Sequence, residues 1–345
     1  MTREIPRNPR LGYQFAVLNA VISGFAIFLN SLGVRMFADS TLYTSLKNGV
    51  VAVAVLLPLL LNTARRRELA RLTRGQWSLL VLIALVAGSV AYGLDFRGRQ
   101  ISTATTAAVV GHTGFLVVAA LAAVFLRERF NRAVPAALLA LAVGLALGLK
   151  VHDVRLDAGV PLLAAGTLLF AVGAVLIKVA LRTISIATVV AVKMACGAAL
   201  LFAYVAATGS LSTVVHLSVV QWGFALVGGL ILLAFTLTAV AGLRYASATG
   251  VTAVSAGAPI VTAALVAATR HTPIQPPQLF GMGMVLTAVL IVYVLGGADE
   301  SRATTRHAAG RARSSATSAV AWLSGSVRAK YQSNTGSSHP RRLTQ

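Results

Sequence analysis

Ile101 to Arg129 reads ISTATTAAVVGHTGFLVVAALAAVFLRER. No charge interrupts it from Ile101 to Leu126, and it stops on Arg127-Glu128-Arg129. A helix rising ~1.5 Å per residue needs about 20 such residues to cross a ~30 Å hydrocarbon core, so this stretch is long enough. The closing charges belong in water or headgroups. A second stretch, Thr252 to His271, reads TAVSAGAPIVTAALVAATRH and echoes it. Thr106 falls on Thr252, Ala107 on Ala253, Gly111 on Gly257 and Ala122 on Ala268, at a constant offset of 146. Other landmarks keep nearly the same spacing, which reads as an internal repeat.

Composition fixes the class. The chain has 345 residues, 57% of them apolar and only 11% charged, with a mean hydropathy of +0.80. A soluble domain carries roughly 25% charged residues, so this is an all-α, polytopic membrane protein. The net charge of +21 would suit nucleic acid. The basic residues are spread over the breaks between apolar runs, however, where they serve the positive-inside rule. Nucleic acid is therefore not an expected partner. Cys196 stands alone, which leaves no intramolecular disulfide and no multi-cysteine metal site. The N-terminal run follows Arg3, Arg7 and Arg10 without a small-residue cleavage site, and is expected to stay as a first span.

Charged and polar breaks divide the chain into ten expected transmembrane helices. They are Tyr13–Gly33, Leu42–Leu61, Ser78–Leu94, Ile101–Leu126, Ala133–Leu149, Gly159–Leu181, Ala187–Ala207, Trp222–Leu243, Ala246–Thr269 and Leu279–Leu295. An even number puts both termini on one side. That side collects 14 Arg and Lys before the tail, against six opposite: Arg35, Arg97, Arg99, Lys150, Arg155 and Arg270. Both termini are expected in the cytoplasm, with Arg97–Gln100 as an external loop.

Residues 13–150 and 151–298 then form two five-helix repeats, after a short cytoplasmic N-terminus over 1–12. Gln76-Trp77 opens the third span and Gln221-Trp222 the eighth, and Lys47 in the second matches Lys193 in the seventh. Because five is odd, the second half enters the membrane from the other side, giving an inverted repeat of the kind common in secondary transporters. The fourth and ninth helices should cross near each other through Gly111 and Gly257. Residues 299–345 are rich in Ser, Thr, Ala and Arg and read as a basic, mostly disordered cytoplasmic tail. Ala316, Ala319, Val320, Leu323 and Val327 recur there at helical spacing beside Trp322, so a weak amphipathic helix on anionic lipid is the alternative.

Several features together resemble the drug/metabolite transporter superfamily, EamA type. The fourth span begins Thr105-Thr106-Ala107-Ala108 and breaks at Glu128-Arg129, and the fifth contains Gly144 and Gly148. In the second half, Ser247-Ala248-Thr249 and Pro259 fit the ninth-helix pattern. The resemblance covers about residues 10–298. It implies a ten-helix permease in the cell membrane that exports or exchanges a small polar metabolite, amino acid or drug by alternating access, and not an enzyme. Two positions depart from it: Thr113 stands where the first-half proline is expected, and Ile274 where the counterpart of Glu128 is expected.

Six residues are candidates for substrate binding: Lys47, Lys193, His112, Asn30, Tyr92 and Pro259. A lysine at the centre of a span costs about 2.5–3.5 kcal/mol to insert. Lys47 and Lys193 each lie ~10 Å deep, at opposite sides of the midplane. They could flank a central cavity and attract a carboxylate; the alternative is that both snorkel to the interface. His112 is the one histidine inside a span, and serves either substrate or proton, or simply bonds a neighbouring helix. Asn30 and Tyr92, near outer span ends, either line the cavity or anchor the interface. Pro259 either frees a carbonyl into the cavity or makes a packed kink. All nine acidic residues fall outside the expected spans, which argues against coupling through a membrane carboxylate. Glu128, with Arg127 and Arg129, reads as a solvated cytoplasmic break, with a cross-repeat gate as the alternative that the missing acid at Ile274 disfavours. No catalytic residue, metal or cofactor is expected.

The expected partners are a small-molecule substrate and the lipid bilayer, with a homodimer left open. The competing reading is a membrane-anchored scaffold or lipid-handling protein acting through its basic tail.

Overall fold

The structure is a computed structural model that describes residues 8–128, 133–149, 156–270 and 274–298. Arg129, the tail from residue 299 and the amphipathic stretch expected around Trp322 lie outside those residues.

The described residues are mostly helical, with no strand among them. The order is α1 (Pro9–Gly33), α2 (Ser40–Leu61), α3 (Thr63–Ala70), α4 (Arg74–Ile83), α5 (Ala91–Ile101), α6 (Ala104–His112), α7 (Gly114–Leu121), α8 (Ala133–Gly148), α9 (Gly159–Ala180), α10 (Ile186–Ala207), α11 (Val219–Tyr245), α12 (Ala248–Ser255), α13 (Ala258–Arg270) and α14 (Pro276–Ile291). Nine helical stretches among the described residues are long and apolar enough to cross a membrane. The fifth expected span, Ala133–Leu149, forms the helix Ala133–Gly148, which is apolar but has 16 residues, a rise of ~24 Å against a ~30 Å core.

Polar residues set the helix starts. Asp39 accepts from the Thr41 amide at 2.8 Å to cap α2. Thr73 with Gln76, and Ser218 with Gln221, close reciprocal capping boxes at the starts of α4 and α11. Each of those glutamines also reaches a distant connection. Gln76 donates to Thr183, between α9 and α10, at 3.1 Å. Gln221 donates to the Met36 carbonyl, between α1 and α2, at 2.8 Å. Such bonds sort helix ends into two groups. The near end holds the start of α1 and the connections around Glu68, Glu128 and Tyr245; the far end holds the connections around Phe37, Gln100 and Asp157.

Packing follows the same pairing. α1 lies against α11, α12 and α13, α9 lies against α5, α6 and α7, α2 pairs with α10, and α8 pairs with α14. The α8–α14 pair touches backbone to backbone: a Cβ on Gly281 would meet the Gly144 carbonyl oxygen at 2.6 Å. Gly144-x-x-x-Gly148 is thus spent inside the molecule.

Three expected spans change shape. The third does not end at Leu94. It runs from Arg74 to Ile101, through a π-helical stretch Ala84–Val90, so Arg97–Gln100 is a last helical turn and not a loop. Asp95 consequently lies inside a span, and the expectation of no membrane carboxylate is overturned. A hydropathy window stops at Asp95 and Arg97. The chain continues because Asp95 and Arg99 are one turn apart and pair with each other. The fourth span is broken at Thr113, whose hydroxyl donates to the Val110 carbonyl at 2.7 Å, and ends in a π-helical stretch Ala122–Leu126. The ninth is broken between Ser255 and Ala258, and Pro259 sits in the first turn of α13, where its missing N–H costs nothing. Gly111 and Gly257 do not meet: Gly111 lies under Arg99, and Gly257 faces Val254 and Val289. Contact between the two broken spans is made instead by α7 and α12.

Between α2 and α4, the short helix α3 holds Glu68 against the start of α10. The Glu68 carboxylate accepts from the Ser185 amide at 3.0 Å and its hydroxyl at 2.9 Å, with Arg65 at 3.4 Å. Burial pushes this carboxyl up, but the Ser185 bonds, the Thr188 hydroxyl and Arg65 outweigh it and hold it below its ordinary value. Its contribution to stability is therefore complete above the unfolded value of about 4.5, and is lost as pH falls through the lowered folded value. Glu68→Gln should lower Tm by about 2 °C at neutral pH, a modest figure because the site is partly solvated. The gap from the wild type should close as the pH drops below about 4. Thermal melts of detergent-purified protein across that range check it; a gap independent of pH would contradict the cap.

Candidate functional site

A cavity of about 380 Å³ opens among α1, α2, α5, α6, α7, α9, α10, α11 and α12. Its position follows from the breaks and the π-helical stretch. Gly88, in that stretch, lies against the backbone of Lys193 and Gly197 on α10. An extra residue in a helical turn rotates all later side chains by roughly 100°. That rotation brings Tyr92, Asp95, Phe96 and Arg99 to the cavity wall.

Five of the six candidate residues line this one cavity: Asn30, Lys47, Tyr92, His112 and Lys193. Pro259 is not among its lining residues; its neighbours Ser255, Ala256 and Ala258 are. Tyr92 lies well inside its span, not near an end, because the helix continues to Ile101.

The two lysines each lie one and a half to two turns into their helices, from opposite ends of the bundle, but they differ in surroundings. Lys47 is 2% exposed. Its ammonium donates to Asn30 Oδ1 at 2.8 Å, and sits 4.0 Å from the Phe96 ring centroid and 4.4 Å from that of Tyr43. Tyr43 donates to the same Asn30 oxygen at 3.1 Å. Lys193 is 6% exposed, and its ammonium lies 5.6 Å from the Tyr92 ring centroid. Neither lysine reaches an interface, so the snorkelling alternative does not describe them.

His112 ends α6 at the break. Its Nδ1 lies 2.7 Å from the Ala108 carbonyl oxygen. A carbonyl only accepts, so Nδ1 carries a proton, and in the neutral ring Nε2 is then an acceptor. The charged pair absent from the sequence reading is Asp95 with Arg99. Arg99 Nε donates to Oδ2 at 2.7 Å and Nη2 to Oδ1 at 3.1 Å. A bidentate pair of this kind holds both groups in register. The i,i+4 spacing was the signal that could have placed it inside a span. Asn19 was also missed. It is buried on the wall and donates to Phe235 O at 2.8 Å and Thr238 Oγ1 at 3.0 Å.

The cavity is bounded differently at its two ends. Towards the near end, α7 packs on α12. Arg127 adopts a left-handed turn, φ 54°, and so turns Glu128 onto the start of α12. The Glu128 carboxylate accepts from the Ala248 amide at 2.7 Å and the Thr249 amide at 3.2 Å. Glu128 is therefore a helix cap and not a solvated break. Lys178 donates to the Leu243 carbonyl at 2.6 Å and to that of Ala246, at the adjoining end of α11. Towards the far end, α6 packs on α8 and α9 while α13 packs on α1, so the broken spans diverge.

Asp95 and Arg99 should behave as one unit. Asp95→Asn alone leaves a guanidinium facing the cavity without its partner, and Arg99→Met alone leaves a buried carboxylate. Each should destabilise, and the double variant should lose less than the sum of the singles, with a coupling of about 1–3 kcal/mol. Unfolding of the four proteins in detergent measures it; additive losses would mean that the pair is not coupled.

The sequence profile of the EamA-like transporter family matches residues 10–149 and again 157–294. No curated protein sequence matches the chain. A solved structure described only as "Crystal structure of protein" superposes with a TM-score of 0.64 over 84% of this chain and 97% of its own, at 16% identity. At that identity the likeness speaks for the fold alone. Two matched segments covering most of the helical region, nine membrane-length helices among the described residues and a central cavity holding charged groups converge: the chain is a multi-pass membrane protein belonging to the EamA-like transporter family.

Proposed function

We propose that the protein is a secondary transporter that moves a small polar metabolite, amino acid or drug by alternating access, exporting or exchanging it at the plasma membrane. The observation that carries this reading is the cavity. It lies between the two matched segments, holds charged groups from both, and is sealed towards one end by α7, α12 and the Glu128 cap. In an alternating-access cycle the seal would pass from the α7–α12 pair to the α6–α13 pair, and the breaks at Thr113 and at Ala256–Gly257 would supply the hinges. Lys193, Lys47 with Asn30, His112 and Tyr92 are the proposed binding groups, and the break ahead of Pro259 shapes the wall beside them.

The architecture proposed is ten spans in two inverted five-helix repeats, 13–150 and 151–298. The paired bonds of Gln76 and Gln221 to connections at opposite ends support it, as does the matched packing of α1 and α9. On this reading the short helix α8 is the fifth crossing, beside the tenth, α14, and brings the number to ten. Both termini are proposed to be cytoplasmic. The excess of Arg and Lys at the end holding the start of α1 supports it.

Two measurements test these points. Purified protein in liposomes should accelerate the flux of at least one member of a panel of organic acids, amino acids and drugs over protein-free vesicles; no acceleration for any member would sink the transport reading. For orientation, Arg97→Cys and Arg66→Cys are placed singly in a Cys196→Ala background, both being exposed positions. An impermeant thiol reagent on intact cells should label Arg97→Cys and spare Arg66→Cys. The reverse pattern would invert the topology.

A further inference from the structure

Within the transport reading, we infer that the site selects an organic monocarboxylate with an apolar or aromatic body, and that Lys193 holds its carboxylate. The cavity wall presents three cations, Lys47, Arg99 and Lys193, and one carboxylate, Asp95. Two of the cations already have acceptors. Arg99 is held by both oxygens of Asp95, and Lys47 by Asn30. Lys193 is the exception: among the described residues its ammonium has the Tyr92 ring beside it and no hydrogen-bond acceptor. A buried ammonium without an acceptor is costly, and an incoming anion removes that cost. The resulting charge-assisted bond is stronger than a neutral one.

The surroundings of Lys193 describe the rest of the ligand. Tyr92 meets Phe170 edge to face at 4.9 Å, and Phe115, Phe235 and Leu232 continue the apolar wall. A ring or branched chain attached to the carboxylate would lie on that surface. An α-ammonium group would meet only neutral acceptors, the His112 ring and the Thr236 and Ser255 hydroxyls. The one carboxylate on the wall has both oxygens engaged by Arg99, so a zwitterion would bring a cation into a site with excess positive charge. The two lysines are therefore unequal: Lys193 contacts the ligand, while Lys47 acts through its field.

The test uses three ligands with the same phenyl-ethyl body and different charge: 3-phenylpropionate, phenylalanine and phenethylamine. Equilibrium binding of each to the detergent-purified full chain is measured by scintillation proximity, which does not require transport. 3-Phenylpropionate should bind at least ~10-fold more tightly than phenylalanine, and phenethylamine weakest of the three. Lys193→Met should weaken 3-phenylpropionate at least ~10-fold, Lys193→Arg should restore part of that loss, and Lys47→Met should have the smaller effect. Both Met variants remove a buried charge, so they should fold, and a monodisperse elution profile checks this. Phenylalanine binding as tightly as 3-phenylpropionate would overturn the inference, as would Lys193→Met binding it like the wild type, or no binding of 3-phenylpropionate at all. Binding without liposome flux would sustain the carboxylate site and remove the transport reading. Flux of other solutes without carboxylate binding would do the opposite.

Discussion

A charge placed between apolar helices has to find its counter-charge within the protein or face a cavity that admits one, because lipid supplies neither. The Asp95–Arg99 pair is where this molecule meets that requirement most completely. The pair lets α5 continue to Ile101 through residues that would otherwise have ended the span. Its continuation in turn carries Phe96 against Lys47 and Arg99 under Gly111. The π-helical stretch before it sets the face on which the pair emerges. The cavity is thus the place where buried charges converge because they have nowhere else to be accommodated.

Helix termini impose a second requirement. Each start leaves backbone amides without partners, and each end leaves carbonyls. Here the partners come from far away in sequence. Glu68 serves the start of α10 and Glu128 that of α12, and Lys178 serves the end of α11. The Glu68 and Glu128 caps tie the two matched segments together at the near end, while the Lys178 bond lies within the second. A cap between helices differs from a packed apolar contact, because a modest rotation of α12 would break it entirely. That suits the Glu128 contact to the opening proposed for this end.

The two lysines show how similar sequence positions acquire different chemistry. Both sit in the first half of a 22-residue helix, at matched places in the repeat. Lys47 finds Asn30 because Asn30 lies in the last turn of α1, just before the short connection into α2. Lys193 is close to Tyr92 on α5, whose ring offers a π face but no acceptor within hydrogen-bond reach.

Hydrophobic run length and the spread of arginines were enough to read a multi-pass helical protein of two related halves, because lipid permits few alternatives to long apolar helices. Lys47, Lys193, Asn30, Tyr92 and His112 could be picked out for the same reason: a polar group in an apolar run is conspicuous. Asp95 was not legible, since a linear window counts a charge as an end, and only the fold shows that Arg99 one turn later neutralises it. The break at Thr113 carries no proline to announce it, and Pro259 marks a helix start, not the bend itself. Whether a lysine is satisfied or waiting for a ligand, and which ends of the broken spans touch, depends on side chains brought together from separate helices. The sequence by itself determined which residues had to be inside the membrane; only the tertiary structure decided which of them have partners there, because partnership is a matter of distances of a few ångströms across helices far apart in the chain.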